Sequence, residues 1–462
     1  MRVEMRQDMK KILAWMAISV SACAVNTCWA LDPYAGYVMG YFTESPQGTG
    51  NDYGLHIAYS TDALHWTPLN NNNAVVYPTL GQKGLRDPFI FRKNDGKFVV
   101  MATDMKGTDF ANSNSEYIHV WDSADLRTFT NERLVHMNTS GMHTWAPEAF
   151  YDNARGKYGV IWSGNASSSY HQIFVNYTSD FVNFEAPQVF FYPGFSPLDA
   201  TVHVYNGVNY LYYKRESDNT MMGTRSSTMN PRSFDANTYT SAIGTTIIEA
   251  PTVVKKNNEN RWYLFGDSYA PINGEIYAWE TTNITANAWT PINKRNYNQP
   301  LNSKHQTVAP ITQTEINNLV AKWGNPGWNR IQSYNYGDNY IRHSAFQGRI
   351  DPYPMDPYTD SQWRMVPGLA DSTGVSFQSV SMPTYYLRHS NYNLVLNAND
   401  NTSGFKADAT FYKVAGLADA SWSSFKSYNF PTMYMRHSNL VLRIDPISTA
   451  SEKQDATFRV GY

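Results

Sequence analysis

Three acids in this chain open strand-like stretches: Asp87 in Gly84-Leu85-Arg86-Asp87-Pro88, Asp199 in Leu198-Asp199-Ala200, and Glu249 in Ile248-Glu249-Ala250-Pro251. At Asp87 the carboxylate and a proline, which lacks an N–H, together begin the strand, where ladder pairing is weakest. Such an acid belongs at the mouth of a sheet. Carboxylates brought together divide acid–base work between them. One, protonated, gives its proton to a departing oxygen; another, ionised, activates water; a third raises the pKa of the donor by like-charge repulsion. Hydrolysis of a glycosidic bond uses such a set. Taken singly, each acid would do no more than cap a strand, so the set matters only where the fold makes the three converge.

The elements that could do this are legible around Asp87. Phe89-Ile90-Phe91, the turn Asn94-Asp95-Gly96 and the run Phe98 to Thr103 predict a hairpin, since Asp-Gly between apolar runs favours one. From Tyr37 to about Thr290, five units of roughly 50–60 residues follow one another. A small polar residue, Asp and then an aromatic mark outer strands at Ser60 to Trp66, Ser123 to Phe129 and Ser179 to Phe184. Five four-stranded units without a long helical pattern predict an all-β fold, a five-bladed β-propeller over residues 31–310. Inner strands of a propeller meet at one funnel. Asp87 in the second unit, Asp199 in the fourth and Glu249 in the fifth are therefore expected at matching positions around it. A complete unit precedes Asp87, and Glu44 is the rival acid of that first unit. Arg86 could hold a carboxylate and Trp145, in Trp145-Ala146-Pro147-Glu148, could wall a sugar ring. Glu148 is read as a strand anchor.

Residues 311–330 form a connector with one short helix, Thr312 to Lys322, ended by Gly324-Asn325-Pro326-Gly327. A second repeat then runs three times over 331–462. Its Arg-His pairs stand at 342–343, 388–389 and 436–437, a period of 46 to 48 residues. Asp360-Ser361-Gln362-Trp363, Asp408-Ala409-Thr410-Phe411 and Asp455-Ala456-Thr457-Phe458 follow them. Three equal all-β units of this size predict a β-trefoil. The first unit departs from the others, with an insertion rich in Pro and Tyr from Asp351 to Tyr358.

Composition bounds the rest. With 462 residues, 42% hydrophobic, 16% charged and 15% aromatic, the chain holds a sizeable core, and a net charge of −2 gives no reason to expect nucleic acid as a partner. Basic residues through Lys11, an apolar run Ile12 to Val25 and Cys28-Trp29-Ala30 read as a signal peptide over 1–30, hence a secreted, extracellular protein. Val20-Ser21-Ala22-Cys23 offers the alternative of a lipoprotein anchored at Cys23, the one membrane attachment considered. Cys23 and Cys28 are the only cysteines, so the folded part is expected to lack disulfides. No spaced ligand set appears, so no catalytic metal and no required cofactor are expected.

Arg86-Asp87-Pro88, Trp145-Ala146-Pro147-Glu148, Leu198-Asp199 and Glu249-Ala250-Pro251, in that order, resemble glycoside hydrolase family 43 over residues 35–310. That resemblance implies a five-bladed propeller hydrolysing furanosides, xylosides or galactans with inversion. It makes Asp87 the general base, Asp199 the pKa modulator and Glu249 the general acid. His305, in Lys304-His305-Gln306, is similar to the family's late histidine, which in some members binds a calcium or a water cluster in the funnel. The C-terminal repeat resembles the arabinofuranose-binding β-trefoil of carbohydrate-binding module family 42. By that resemblance His343 with Asp360, His389 with Asp408, and His437 with Asp455 face solvent and hold furanose hydroxyls. An arabinose-containing polysaccharide is the implied partner, and removal of terminal α-L-arabinofuranose the implied activity. An exo-β-1,3-galactanase, a β-galactofuranosidase, a β-xylosidase and a non-catalytic polysaccharide-binding protein are the alternatives.

Overall fold

The computed structural model describes residues 34–111, 114–139, 143–165, 170–236, 238–244, 247–286 and 288–462. The signal segment, its cleavage site and Cys23 lie outside the described residues. Among those described, no helix is long and apolar enough to cross a membrane.

The hairpin read from Asn94-Asp95-Gly96 forms: Gly96 takes φ +81° and donates its N–H to the Lys93 carbonyl, joining Leu85–Arg92 to Phe98–Asp104. Repetition of this unit builds five antiparallel sheets of four strands, the expected five-bladed propeller. Four blades have inner strands Leu85–Arg92, Trp145–Asp152, Pro197–Tyr205 and Glu249–Lys255, each followed in sequence by its three outer partners.

The first blade differs. Tyr34–Thr43, Asp52–Ser60 and Thr67–Pro68 supply three strands, and the inner place is taken by Ser303–Thr312 from the far end of the domain. The unit ahead of Asp87 is thus not a complete cassette, which corrects the sequence reading. The reason is mechanical: a ring closed by a strand from its other terminus has no free edge at the seam. Side chains lock the closing strand on both sides. Thr307 Oγ1 donates to the Pro88 carbonyl (2.8 Å) and Thr252 Oγ1 to the Gln306 carbonyl (2.5 Å).

The expected helix follows at once as Gln313–Trp323, with a capping box between Thr312 and Glu315 and a stop at Gly324, φ +71°. It buries Ile316 and Leu319 against the core shared by the first two blades, and Glu315 receives both arms of Arg92.

From Arg330 a sheet of twelve strands closes on itself, Arg330–Ser333 pairing with Phe458–Gly461. The three repeats each give the same four positions to its core: Ile331, Phe377 and Phe425; Ile341, Leu387 and Met435; Ile350, Leu396 and Ile444; Trp363, Phe411 and Phe458. This is the trefoil read from the period.

Candidate active site

Every inner strand that precedes its outer partners in sequence breaks register at one place. The break falls between Arg86 and Phe89, Trp145 and Glu148, Leu198 and Thr201, and Glu249 and Thr252. Inside each break one residue is left-handed: Asp87 (φ +51°), Ala146 (+48°), Asp199 (+52°) and Ala250 (+54°), joined by His305 (+45°) on the closing strand. A left-handed non-glycine residue costs about 1–2 kcal/mol, so the ring carries that strain five times over. The bulge re-aims side chains toward the axis and suspends the ladder. Pro88, Pro147 and Pro251, which have no N–H to donate, fit there for that reason.

These bulges align the blades. Arg86, Trp145, Leu198, Glu249 and Lys304 form one ring; Asp87, Ala146, Asp199, Ala250 and His305 form the next. A cavity of about 470 Å³ is lined by all five of the first ring and by Asp87, Asp199 and His305 of the second. The second ring is its floor. All six propeller residues singled out in the sequence therefore meet here. One expectation is corrected: the three acids do not occupy matching positions. Asp87 and Asp199 do, but Glu249 stands one residue nearer the mouth, and His305 is the third polar member of the floor. In a ring of five, the Asp87 blade faces the Asp199 and Glu249 blades across the axis.

The two sides differ in charge. Burial alone would raise the Asp87 carboxyl, but the His305 imidazolium at 3.0 Å and the Arg86 guanidinium outweigh it and hold Asp87 ionised, well below the usual carboxylate range. Thr103 Oγ1 donates to its other oxygen at 2.7 Å. His305 is raised to about 10: burial opposes its charge, and Asp87, Asp199 and Asp267 more than restore it. Across the funnel, burial lifts Asp199 to about 6, His305 opposing and the Glu249 and Asp87 charges adding. Glu249 goes the other way. Burial raises it, but Lys304 Nζ at 3.1 Å and Lys214 Nζ at 3.7 Å pull it below its ordinary value. Below about pH 6 this pair therefore keeps its proton on Asp199, the raised member, while Glu249, the lowered one, carries the negative charge.

Trp145 forms a wall, stacked on His143 (3.6 Å between centroids) and met edge-on by Phe110 (5.9 Å). Arg86 is ion-paired with Glu44 and lies over the rings of Phe42 and Phe110. Glu44 comes from the end of the first blade's second strand and is bound up as the Arg86 counter-ion, so it does not replace Asp87. Glu148 lies beneath the floor, where burial raises it to about 8. Among the described residues no group of three metal-ligating side chains is arranged for an ion. Both oxygens of Asp87 are engaged, one by Thr103 and one by His305, which leaves this carboxylate no free oxygen to offer a calcium ion.

Lys304 is the residue the sequence reading passed over. It is 2% exposed, and its ammonium also reaches Asp267 (2.8 Å) and Asn273 (3.0 Å). Its signal was present: it precedes His305 as Arg86 precedes Asp87. Lys304→Met removes the nearer of the two charges on Glu249, so the basic limb of the pH–rate profile should move to higher pH, and Lys304→Arg should restore it. A purely structural lysine would change the amplitude of the profile and leave its limbs in place.

In the trefoil the His–Asp pairs form, at 3.2 Å (His343–Asp360), 3.4 Å (His389–Asp408) and 3.5 Å (His437–Asp455). The histidines are buried rather than facing solvent, a further correction. Each ring meets a side chain that bridges to its partner acid: Ser381, Asn429 and Asn335 respectively. Phe430 and Tyr336 stand edge-on to His389 and His437; the matching residue of the second repeat is Met382, and His343 is met edge-on by the core Trp363 instead.

A family model described as "Probable glycosyl hydrolase domain", related to glycoside hydrolase family 43, matches residues 32–317. One described as "Alpha-L-arabinofuranosidase B (ABFB) domain" matches residues 329–460. An α-L-arabinofuranosidase of Bifidobacterium longum subsp. longum is 29% identical over 213 residues, 40% of this chain and 20% of that protein. An extracellular exo-α-(1→5)-L-arabinofuranosidase of Streptomyces avermitilis is 43% identical over 130 residues, 28% of this chain and 27% of that protein. The chain thus matches about a quarter or less of the length of these relatives. An exo-β-1,3-galactanase from Clostridium thermocellum superposes with a TM-score of 0.40 at 10% identity, over 84% of this chain and 96% of that one.

Proposed function

The chain belongs to the glycosyl hydrolase family related to family 43, and on that premise we propose that it removes terminal α-L-arabinofuranosyl residues from plant polysaccharide by a single inverting displacement. The observation that carries this is the placing of the acids in one funnel: Asp87, paired with His305 at 3.0 Å, on one side, and Asp199 with Glu249, the latter held by Lys304 at 3.1 Å, across from it. Asp87 takes a proton from water as the water oxygen attacks the anomeric carbon. The bond to the leaving oxygen breaks, and that oxygen keeps the electron pair and is protonated. Glu249 is the donor in this scheme because it stands nearer the mouth, where the leaving group exits. Asp199, one ring deeper, holds the proton until Glu249 needs it.

Arabinofuranose as substrate is supported by the match of the C-terminal domain and by the names of the relatives. The trefoil holds the enzyme on arabinose-decorated polymer, acting outside the cell. Two of its pockets carry this, since the first has Ser381 for the bridging Asn and Met382 for the aromatic that follows it. His389→Ala with His437→Ala should abolish retardation in arabinoxylan gels, while His343→Ala should leave it near wild type.

The test is product release from debranched arabinan, arabinoxylan, arabinogalactan and a set of p-nitrophenyl furanosides and pyranosides. Free arabinose is the expected product. Galactose or xylose alone would overturn the substrate, and no release from any of them would overturn the activity.

A further inference from the structure

We infer that the cleft between propeller and trefoil is a second carbohydrate subsite, one that takes a neutral oligosaccharide segment of the polymer whose terminal residue lies in the funnel; this rests on the function proposed above. The cleft has a volume of about 480 Å³, inside the range of about 300–1,000 Å³ common to ligand pockets. Asn51 and Asn71 line it from the propeller, and Tyr358, Gln362 and Arg364 from the trefoil. Its lining adjoins that of the funnel along the chain. Thr43 lines the cleft and the next residue, Glu44, lines the funnel; Asn302 lines the cleft, and Lys304 lines the funnel. A chain leaving one cavity has the other beside it.

The repeats of the trefoil supply an internal control. Gln362 occupies the place of Thr410 and Thr457. Those two threonines spend their hydroxyls inside the domain, donating to the Lys406 and Lys453 carbonyls (2.8 and 2.7 Å) and accepting from the N–H groups of Ala370 and Ala418 (3.0 Å each). The Gln362 amide makes no such bond to any described residue and lines the cleft instead. Arg364 repeats the pattern. Its equivalents are Tyr412, which donates to Asp371 (2.7 Å), and Arg459, which donates to the Arg295 carbonyl (2.9 Å), whereas its own guanidinium has no partner among the described residues. In the first unit alone, two framework side chains have been exchanged for donors that face an empty space.

That space is held open by a fixed interface. Leu301, Trp328, Tyr340, Tyr353 and Met355 form one buried cluster, and the Tyr353 hydroxyl accepts from the Asn302 N–H at 3.0 Å. Arg330, 1% exposed, donates to the Gln299 and Tyr462 carbonyls. Tyr353 and Met355 belong to the insertion that breaks the repeat. Amides, hydroxyls and an aromatic edge suit a neutral polyhydroxyl chain. The cleft's one acid, Asp52, already accepts from Tyr77 and sits 3.4 Å from His56.

The test is calorimetric titration of linear arabino-oligosaccharides into a full chain carrying Glu249→Gln, His389→Ala and His437→Ala, which neither hydrolyses nor binds through the two stronger trefoil pockets. Binding should persist, and adding Gln362→Ala or Arg364→Ala should weaken it about tenfold, the loss of one hydrogen bond to a buried or charged group, without lowering Tm. In the active chain, the same single changes should flatten the rise of kcat/KM with oligosaccharide length and leave p-nitrophenyl α-L-arabinofuranoside unaffected. Unchanged affinity and unchanged length dependence in both single variants would overturn the subsite, as would absence of binding in the triple background. If the active chain releases nothing from any furanoside, the proposed function falls, and the titration still reports on the cleft.

Discussion

Replacing Asp87 with alanine should lower kcat/KM on an arabinofuranoside by about 10³–10⁴-fold, the upper part of the range for a general acid–base group. Azide should restore turnover by attacking the anomeric carbon directly, giving the β-configured glycosyl azide. The effect is expected to be large because no second carboxylate can take over. Asp199 and Glu249 lie on the opposite side of the axis, and Glu44 is bound by Arg86. The variant also strands a charge. His305, at 3.0 Å, loses the partner that does most to keep it protonated, and breaking a buried pair from one side costs about 3–5 kcal/mol. A lower Tm is therefore expected with the loss of rate, and azide separates the two, since it rescues chemistry without rescuing stability. The stability that His305 contributes has a sign. Its pKa rises from an ordinary 6.5 to about 10 on folding, so that stability is complete below pH 6.5 and is lost as pH climbs through about 10.

Glu249→Gln should give the second large loss, and its size should depend on the leaving group. With polysaccharide, where the departing alkoxide must be protonated, kcat falls by about 10²–10⁴-fold. With a p-nitrophenyl furanoside, whose leaving group needs little help, the fall should be much smaller. Protonation must come from the pair it forms with Asp199, which carries its proton with a pKa of about 6. Wild-type activity on polymer should accordingly decline as pH rises through about 6, because above that value the pair is fully ionised and has no proton to give. An activity on polymer that stays flat from pH 5 to 8 would contradict this reading of the pair.

Much of this was legible in the residues. The Asp-Gly turn and the spaced Ser-Asp-aromatic signals report local chemistry that each blade must satisfy alone, so a chain read in order reveals the propeller. The Arg-His period does the same for the trefoil, because a threefold core needs an apolar residue at the same place in each of three repeats. What could not be read was what depends on closure. Nothing local in Ser303–Thr312 says that it completes a blade begun some 270 residues earlier, since its partners are set by the ring. The one-residue offset of Glu249 was hidden for a related reason. Ala250 fills the left-handed position that Asp87 and Asp199 fill, and an alanine draws no attention in a search for acids. Lys304 and Lys214 were missed because a lysine in sequence looks like surface, and only the packed funnel shows these two held at a carboxylate. The trefoil's burial of its histidines was equally invisible, as it follows from bridging side chains donated by the neighbouring repeat.

The measurement that bears most directly on the central claim is proton NMR of the sugar first released from an α-L-arabinofuranoside, recorded before mutarotation. With Asp87 opposite the Asp199 and Glu249 pair, water attacks the face away from the leaving group, and β-L-arabinofuranose should appear first. First appearance of the α-anomer would mean a covalent intermediate and a nucleophile where we place a base, and would contradict the account.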